Sequence, residues 1–177
     1  MTALPRLILV QATYELIDAA IDDPVRLGQL LRADVADDWP GFPESLPGLR
    51  NAYSAGRDGH AWGTVLFVLE EPRTLVGMGG YKGDPTPEGV VEIGYAIAPA
   101  FQGRGLATEA AGRLIRKAFA DPRVGAVDAH TLAQANRSTR VLEKLGLQRI
   151  AEKHDPDDGP IWQWRIQRPS PAGPSSA

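Results

Sequence analysis

The chain has 177 residues, the size of one ordinary domain, of which 43% are hydrophobic and 23% are charged. Its formal net charge of -3 does not favour nucleic-acid phosphate as a partner, and no apolar run approaches the roughly 20 residues that cross a bilayer. With 0 cysteines, the sequence excludes disulfides, thiolate nucleophiles and cysteine-based metal sites.

The first predicted elements are a short strand and two short helices. RLILVQA, at residues 6–12, is rich in apolar and β-branched residues, which favours a buried strand. Apolar residues at helical spacing follow over residues 14–33, where Asp23 and Pro24 are typical of an N-cap and a first helical turn, so two helices are predicted. Prolines and glycines then predict a loop from residue 37, followed by a helix near residues 48–55.

Three strands and a long helix are predicted in the middle of the chain. The strands lie at residues 64–70, 74–82 and 90–98, and the short connections between them favour an antiparallel meander. Residues 106–119 place apolar side chains on one face of a helix and charged side chains, from Glu109 to Lys117, on the other.

The last predicted elements are a strand, a helix and a hairpin. The strand covers residues 126–132, and the helix begins after Asn136 as N-cap and ends before Gly146. Two further strands, 147–153 and 161–167, are joined by a turn. We expect a single domain over residues 1–168 and a disordered tail over residues 169–177, which have no apolar content to bury. The opening segment lacks the features of a signal peptide, so a cytoplasmic protein is expected.

Two glycines mark the junction between a predicted strand and the long helix. The unpaired amides and the dipole at a helix start favour an anion, and glycines let the backbone approach a bulky one such as a pyrophosphate. A tight turn is the alternative role for Gly103 and Gly105. A dinucleotide-binding fingerprint would need a third glycine where Thr108 stands, and the Gly-Lys-Ser/Thr of a P-loop does not occur.

The segment from Gln102 to Ala107, QGRGLA, follows EIGYAIAPAF and precedes NRSTRVLEKLGL by about thirty residues. In this order the segments resemble the acetyl-CoA-binding core of the GNAT N-acetyltransferases, particularly the RimJ/RimL-like branch of ribosomal-protein acetyltransferases. The resemblance covers residues 62–168. It implies the GNAT fold of the α/β (α+β) class, a mixed, mostly antiparallel sheet that is flanked by helices and split between its fourth and fifth strands. Here those strands are residues 90–98 and 125–132.

The same resemblance implies acetyl-CoA as acyl donor and assigns residues to it. Backbone amides from Gly103 to Thr108 would hold the CoA pyrophosphate, and strand residues Tyr95 to Ala98 would pair with the pantetheine amides. Arg104 is assigned either a phosphate contact or a solvated position, and Asn136 either a cofactor contact or a helix cap. The cofactor-binding set is Tyr95, Ala96, Ile97, Ala98, Gln102, Gly103, Arg104, Gly105, Leu106, Ala107, Thr108 and Asn136.

Two residues are candidates for the chemistry. Glu92 stands on the predicted fourth strand, where family members often place a general base, and a structural ion pair is its alternative role. Many relatives carry a tyrosine in the second cofactor-facing helix as the acid that protonates the leaving thiolate. This sequence has none there, so Ser138, Thr139 or water is expected to serve.

Residues for the amine acceptor are expected in two loops. Trp39 and Phe42 lie where relatives build the acceptor pocket, with core packing as their alternative role. The aspartates of the turn at residues 155–158 are predicted either to form that turn or to contact a cationic acceptor. The three histidines do not have metal-ligand spacing, so no metal site is expected.

The sequence therefore predicts an N-acetyltransferase that moves the acetyl group of acetyl-CoA to a primary amine by direct attack in a ternary complex. The acceptor is expected to be a peptide α-amine or a small-molecule amine, without nucleic-acid or membrane partners, for a monomer or homodimer. Two alternatives stay open. One is a non-catalytic acyl-CoA-binding module of the same fold, and the other is a regulatory protein that binds ATP or NAD through the glycine loop.

Overall fold

A computed structural model describes residues 6–57 and 60–170, and within them the chain forms one eight-stranded sheet and five α-helices. The strands are β1 (Leu7–Gln11), β2 (Asp34–Val35), β3 (Thr64–Leu69), β4 (Thr74–Tyr81), β5 (Val90–Ile97), β6 (Ala126–Leu132), β7 (Gln148–Asp155) and β8 (Gly159–Gln167). The helices are α1 (Tyr14–Asp22), α2 (Pro24–Leu31), α3 (Leu46–Ala52), α4 (Leu106–Ala120) and α5 (Arg137–Lys144). None of these helices is long and apolar enough to cross a membrane.

The predicted elements agree with the structure except at a few boundaries. No strand was predicted at the position of β2, which is two residues long and pairs in parallel with β4. Helix α3 begins at Leu46, two residues before the predicted start, because Pro47 falls in its first turn, where a missing amide costs nothing. The tail predicted to be disordered lies, from residue 171 onward, outside the described residues.

The sheet is split between β5 and β6, which are parallel neighbours. Its strand order is β1-β3-β4-β5-β6-β8-β7, and β2 pairs with β4 beside this path. Pairing of β5 with β6 runs from Val90 with Ala126 to Ile93 with Ala129, although both strands continue for several residues. The two strands therefore diverge past Ile93, which confirms the mostly antiparallel, split GNAT fold. Backbone groups on this side of β5 are left for another partner.

Each face of the sheet carries its own hydrophobic core. On one face Val91, Ile93 and Val127 pack with the apolar stripe of α4, including the fully buried Leu114. On the other face Leu66, Val68 and Leu75 pack with apolar residues of α1, α2 and the segment before α3. Strand β5 packs in the first core, and Ala98, the residue after its end, belongs to the second, so the two cores together hold this part of the chain.

The charged face of α4 closes an edge of the sheet. β1 is a terminal strand, so one row of its backbone groups faces away from β3. The Glu109 Oε1 atom accepts hydrogen bonds from the backbone amides of Arg6 and Leu7 at 2.8 and 2.9 Å, and Arg113 donates to the Leu7 carbonyl. These charged side chains therefore satisfy backbone groups at the start of this edge that would otherwise remain unpaired.

We predict that Glu109→Ala lowers the free energy of unfolding by about 1–3 kcal/mol, because two backbone amides lose their acceptor and Leu7 is buried. Urea denaturation measures this loss. Glu143→Ala, at an exposed position of α5, is the matched control and should change stability by less than about 0.5 kcal/mol. Equal losses in the two variants would contradict a role for Glu109 at the edge.

Candidate functional site

Two cavities lie at the split of the sheet. The first, which we call the α4 cavity, has a volume of about 1020 Å³ and is lined by the end of β5, the start of α4, α5 and the loop before α3. The second, the hairpin cavity, measures about 780 Å³ and is lined by β4, β5, β6 and the tip of the β7–β8 hairpin. Among the described residues, Phe42, Tyr95 and Ser138 line both cavities, so the cavities meet at these three side chains.

The start of α4 is open toward the α4 cavity. Gly103 and Gly105 have φ angles of 75° and 78°, in the left-handed region that favours glycine. Gly105 is the N-cap residue, and no side chain in the described part of the chain caps the helix. The amides of the first turn, from Leu106 to Thr108, are therefore without a capping partner at the positive end of the helix dipole, beside the cavity. This arrangement suits an anion.

Basic side chains of α5 line the same cavity. Arg137, Arg140 and Lys144 recur at three- and four-residue spacing, which places them along one side of the helix. Arg137 donates a hydrogen bond to Gln102 Oε1, and Gln102 Nε2 donates to the Ile97 carbonyl at 2.9 Å. Sequence reasoning missed these cations, although their spacing in RSTRVLEK was the available signal.

Three members of the predicted cofactor-binding set, Ala98, Arg104 and Asn136, lie away from the wall of this cavity. The Arg104 guanidinium donates to the Ala100 carbonyl at 3.1 Å and stacks on the Phe101 ring at 5.1 Å. Ala98 is fully buried, and its amide donates to the Val76 carbonyl. The members that line the cavity are Tyr95, Ala96, Ile97, Gln102, Gly103, Gly105, Leu106, Ala107 and Thr108.

Asn136 caps α5, the alternative role that the sequence left open. Its Oδ1 accepts from the Thr139 amide at 3.0 Å, and its own amide donates to Thr139 Oγ1 at 3.0 Å. Asn136 lines the hairpin cavity instead of the α4 cavity. The buried Thr139 hydroxyl also donates to the Asn136 carbonyl. Thr139 is thus committed to the cap, and Ser138 is the hydroxyl of this turn that reaches both cavities.

A proline-rich loop brings Phe42 to the junction. Gly41 has a φ angle of 71°, and a Cβ atom there would lie 2.5 Å from the Ala96 Cβ, so the loop rests directly on β5. Trp39 is 5% exposed and belongs to the core, which favours packing over acceptor contact. Phe42 is 56% exposed at the wall of both cavities.

Glu92 lies in the hairpin cavity between two potential donors. Its Oε1 atom contacts His130 Nδ1 at 2.9 Å and forms an ion pair with Lys82. Because an ionised carboxylate can only accept, Nδ1 carries a proton, and in a neutral imidazole Nε2 is then the nitrogen with a lone pair. Glu92 and His130 are both half-buried, whereas the Lys82 side chain is 62% exposed.

The Glu92 pKa favours its charged form. Burial by itself raises the pKa, but the hydrogen bonds and charges of Lys82 and His130 outweigh this and hold the pKa below its ordinary value of 4.5. Glu92 is therefore a stable carboxylate near neutral pH and a weak base. The ion pair exists in the structure, and the catalytic role of Glu92 stays a prediction.

The turn between β7 and β8 adds negative charge to the hairpin cavity. Asp155 Oδ1 accepts from the backbone amides of Asp157 and Asp158 at 2.9 and 3.0 Å, and these bonds lower the Asp155 pKa. Asp155 is thus a turn former, as expected. Asp155 and Asp158 also line the cavity. Within the described residues, no group of three or more acidic or histidine side chains is arranged to hold a metal ion.

Tyr95 places a hydroxyl at the junction of the two cavities. Among the residues that the structure describes, its oxygen is the one buried side-chain polar atom without a hydrogen-bond partner. Burial raises the pKa of Tyr95, and the adjacent Ser138 side chain offsets part of this rise without reaching hydrogen-bond geometry. Sequence reasoning considered only the backbone of Tyr95, because a strand pattern does not reveal which hydroxyl lacks a partner.

Comparisons with known proteins give a consistent result. The model of the Acetyltransferase (GNAT) domain matches residues 6–148. The chain is 29% identical over 143 residues to the Uncharacterized N-acetyltransferase YjdG of Bacillus subtilis (strain 168), covering 80% of this chain and 85% of that protein. The crystal structure of ribosomal-protein-S5-alanine acetyltransferase from Vibrio fischeri has a TM-score of 0.67 at 13% identity over 93% of this chain and 94% of that one. Aminoglycoside acetyltransferase AAC(6')-Ib in complex with coenzyme A has a TM-score of 0.63 at 19% identity, over 92% and 95%.

We predict that Glu92→Gln lowers the unfolding temperature near neutral pH and that this deficit shrinks in acid. Since the folded pKa lies below the ordinary value, the carboxylate stabilises the fold above pH 4.5, and the contribution is lost as the pH falls through the folded pKa. Thermal unfolding at neutral pH and at about pH 3.5 measures the two differences from the unmodified protein. Glu143→Gln, at an exposed site, is the control. A deficit that does not depend on pH would contradict the ion-pair interpretation.

Proposed function

Because the chain belongs to the GNAT acetyltransferase family, we propose that it transfers the acetyl group of acetyl-CoA to a cationic primary amine by direct attack in a ternary complex. Family membership makes it an acetyl-CoA-dependent N-acetyltransferase. The observation that carries the finer proposal is the meeting of two cavities at Phe42, Tyr95 and Ser138. Direct transfer needs two substrates in separate cavities that touch at one point, and this geometry supports it.

We assign the donor to the α4 cavity. The amides from Gly103 to Thr108 and the basic side chains of α5 offer hydrogen-bond donors and positive charge to the CoA phosphates. The open side of β5, from Tyr95 to Ile97, offers backbone partners to the pantetheine amides as an added strand would. The Arg104 side chain and Ala98 leave the proposed binding set, because the Arg104 guanidinium and the Ala98 amide donate to other groups of the fold.

We assign the acceptor to the hairpin cavity because acidic groups outnumber basic ones there. Glu92, Asp155 and Asp158 line it, against Lys82 as the cation. This charge favours an acceptor that arrives as an ammonium ion. Peptide α-amines remain the first class of acceptor, because the sequence resembles the ribosomal-protein acetyltransferases. Small polycationic amines are the second class, and the acidic turn that lines the cavity favours them.

The attacking amine must lose a proton, and we propose His130 as the group that takes it. An ammonium ion has no lone pair with which to attack a thioester carbonyl. His130 lines the hairpin cavity, and Glu92 holds its Nδ1–H, which leaves Nε2 to accept. Glu92 then acts as a positioning residue that also attracts the ammonium. Ser138 stays a proposed member of the site at the junction.

The proposal is tested by incubating the protein with acetyl-CoA and a panel of peptides, polyamines and aminoglycosides while thiol release is followed. Because the chain has 0 cysteines, every thiol detected comes from CoA. Amine-dependent release with a stoichiometric acetylated product supports the proposal. Tight acetyl-CoA binding without release for any amine would instead support the non-catalytic module.

We predict that Arg140→Ala combined with Lys144→Ala weakens CoA binding about tenfold or more, because two cations leave the α4 cavity. Pantetheine lacks the phosphates, so its affinity should not change. Calorimetric titration with both ligands makes the comparison. Arg149→Ala combined with Lys153→Ala, at two exposed positions of β7, removes the same charge away from the cavity and is the control. Equal losses for CoA and pantetheine would contradict the assignment of the phosphates to α5.

We also predict that His130→Gln lowers kcat by about 10²–10⁴-fold with little change in acetyl-CoA affinity. Glutamine still offers Glu92 a donor but cannot accept the proton. Steady-state kinetics across pH should show partial rescue at high pH, where free amine becomes abundant. His154→Gln, on the exposed part of β7, is the control. A near-normal kcat at neutral pH would assign proton removal to solvent.

A further inference from the structure

The unpartnered hydroxyl of Tyr95 differs from the other buried tyrosine hydroxyls of the chain. Tyr81 donates to the Leu114 carbonyl at 2.6 Å, and Tyr53 accepts from the Thr64 amide at 2.9 Å. Each of these bonds pairs a buried polar atom inside the fold. The Tyr95 oxygen is buried without such a bond, so the folded chain bears the cost of desolvating a donor that it does not use. A ligand at the junction would complete it.

The position of Tyr95 points to the bond that is broken. Tyr95 lies two residues beyond the last pair of β5 with β6, where the split begins, and its side chain lines both cavities. The cavity proposed for acetyl-CoA and the cavity proposed for the amine meet at three residues, Phe42, Tyr95 and Ser138. Phe42 has no polar side-chain atom. Tyr95 and Ser138 therefore supply the hydroxyls at the point of transfer.

Resting on the function proposed above, we propose that Tyr95 is a catalytic residue whose hydroxyl donates a hydrogen bond to the CoA sulfur as the thioester breaks. The amine nitrogen forms a bond to the acetyl carbon, and the C–S electron pair moves to sulfur. Protons lost by the nitrogen go to His130 and solvent, and the released thiolate takes one proton from solvent. Tyr95 stabilises the charge on sulfur while that charge exists and keeps its own proton.

Sulfur, rather than the carbonyl oxygen, is the atom assigned to Tyr95. The side of β5 that does not pair with β6 already offers backbone N–H groups to the carbonyl oxygen of a thioester that lies along the strand. The Tyr95 hydroxyl instead lies beside Ser138, at the first turn of α5. On α5 the Thr139 hydroxyl is committed to the helix cap. Burial also raises the pKa of Tyr95, which favours donation without loss of the proton.

The thiol of bound CoA provides a direct test, because its ionisation is read from the ultraviolet absorbance of the thiolate. With 0 cysteines in the chain, this signal belongs to CoA alone. We expect the unmodified protein to lower the thiol pKa of bound CoA below the ordinary value for a free thiol. Tyr95→Phe should raise it again by about one unit. The same variant should lower kcat by about 10²–10³-fold, the usual effect of removing one preorganised donor.

Tyr81→Phe is the matched control, because it removes a buried hydroxyl that does have a partner. It should lower the unfolding temperature and leave the CoA thiol pKa unchanged. Tyr95→Phe should raise the thiol pKa of bound CoA and leave the acetyl-CoA affinity and the unfolding temperature unchanged. A Tyr95→Phe variant that loses stability without moving the thiol pKa would make Tyr95 structural and overturn the inference.

Two further outcomes separate this inference from the proposed function. A fall in kcat with an unchanged thiol pKa would assign the donor to the carbonyl oxygen and overturn the assignment to sulfur. If Tyr95→Phe releases thiol as fast as the unmodified protein and lowers the thiol pKa of bound CoA as much, this inference is overturned while the proposed function stands. If the unmodified protein binds no CoA, or releases no thiol with any amine, the proposed function fails and the inference fails with it.

Discussion

The structure depends on one constraint, the end of pairing between β5 and β6 at Ile93 and Ala129. Strand β5 continues past this point, held by β4 on its other side and by the hydrophobic core that it shares with α4. Its backbone groups toward β6 then need a partner that the sheet does not supply. The two cavities, the reach of Tyr95 into both, and the approach of α4 and α5 to one point all follow from this divergence.

The two cavities differ in the balance of their charged residues, with more basic than acidic ones in the α4 cavity and more acidic than basic ones in the hairpin cavity. The α4 cavity combines the start of a helix with basic residues of α5, whereas the hairpin cavity contains Glu92 and the acidic turn at residues 155–158. This difference supports the proposal that an anionic donor binds in the α4 cavity and a cationic acceptor in the hairpin cavity. In that proposal both substrates are oriented before they meet, which is the larger part of what such a reaction asks of a protein.

Local signals in the sequence were sufficient for most elements. The apolar stripe of α4 and the cap at Asn136 depend on residues close in the chain, so periodicity and capping rules predicted them. The GNAT resemblance supplied the split. Strand β2 exists only because β4 lies beside it. The contact between Glu92 and His130 joins residues 38 apart in sequence. The hydroxyl of Tyr95 is free because none of its neighbours in the fold forms a hydrogen bond with it. No local pattern encodes either.

The contact between Gly41 and Ala96 limits how this site can diversify. A Cβ atom at Gly41 would collide with β5, and the φ angle of 71° disfavours any other residue there. Phe42, the next residue, is 56% exposed and has room to change. Engineering or natural drift toward new acceptors is therefore expected to change the shape of the wall at Phe42 while Gly41 keeps the loop seated. A library that varied Gly41 and Phe42 together would consist mostly of proteins in which this loop no longer packs on β5 and no longer lines the cavities.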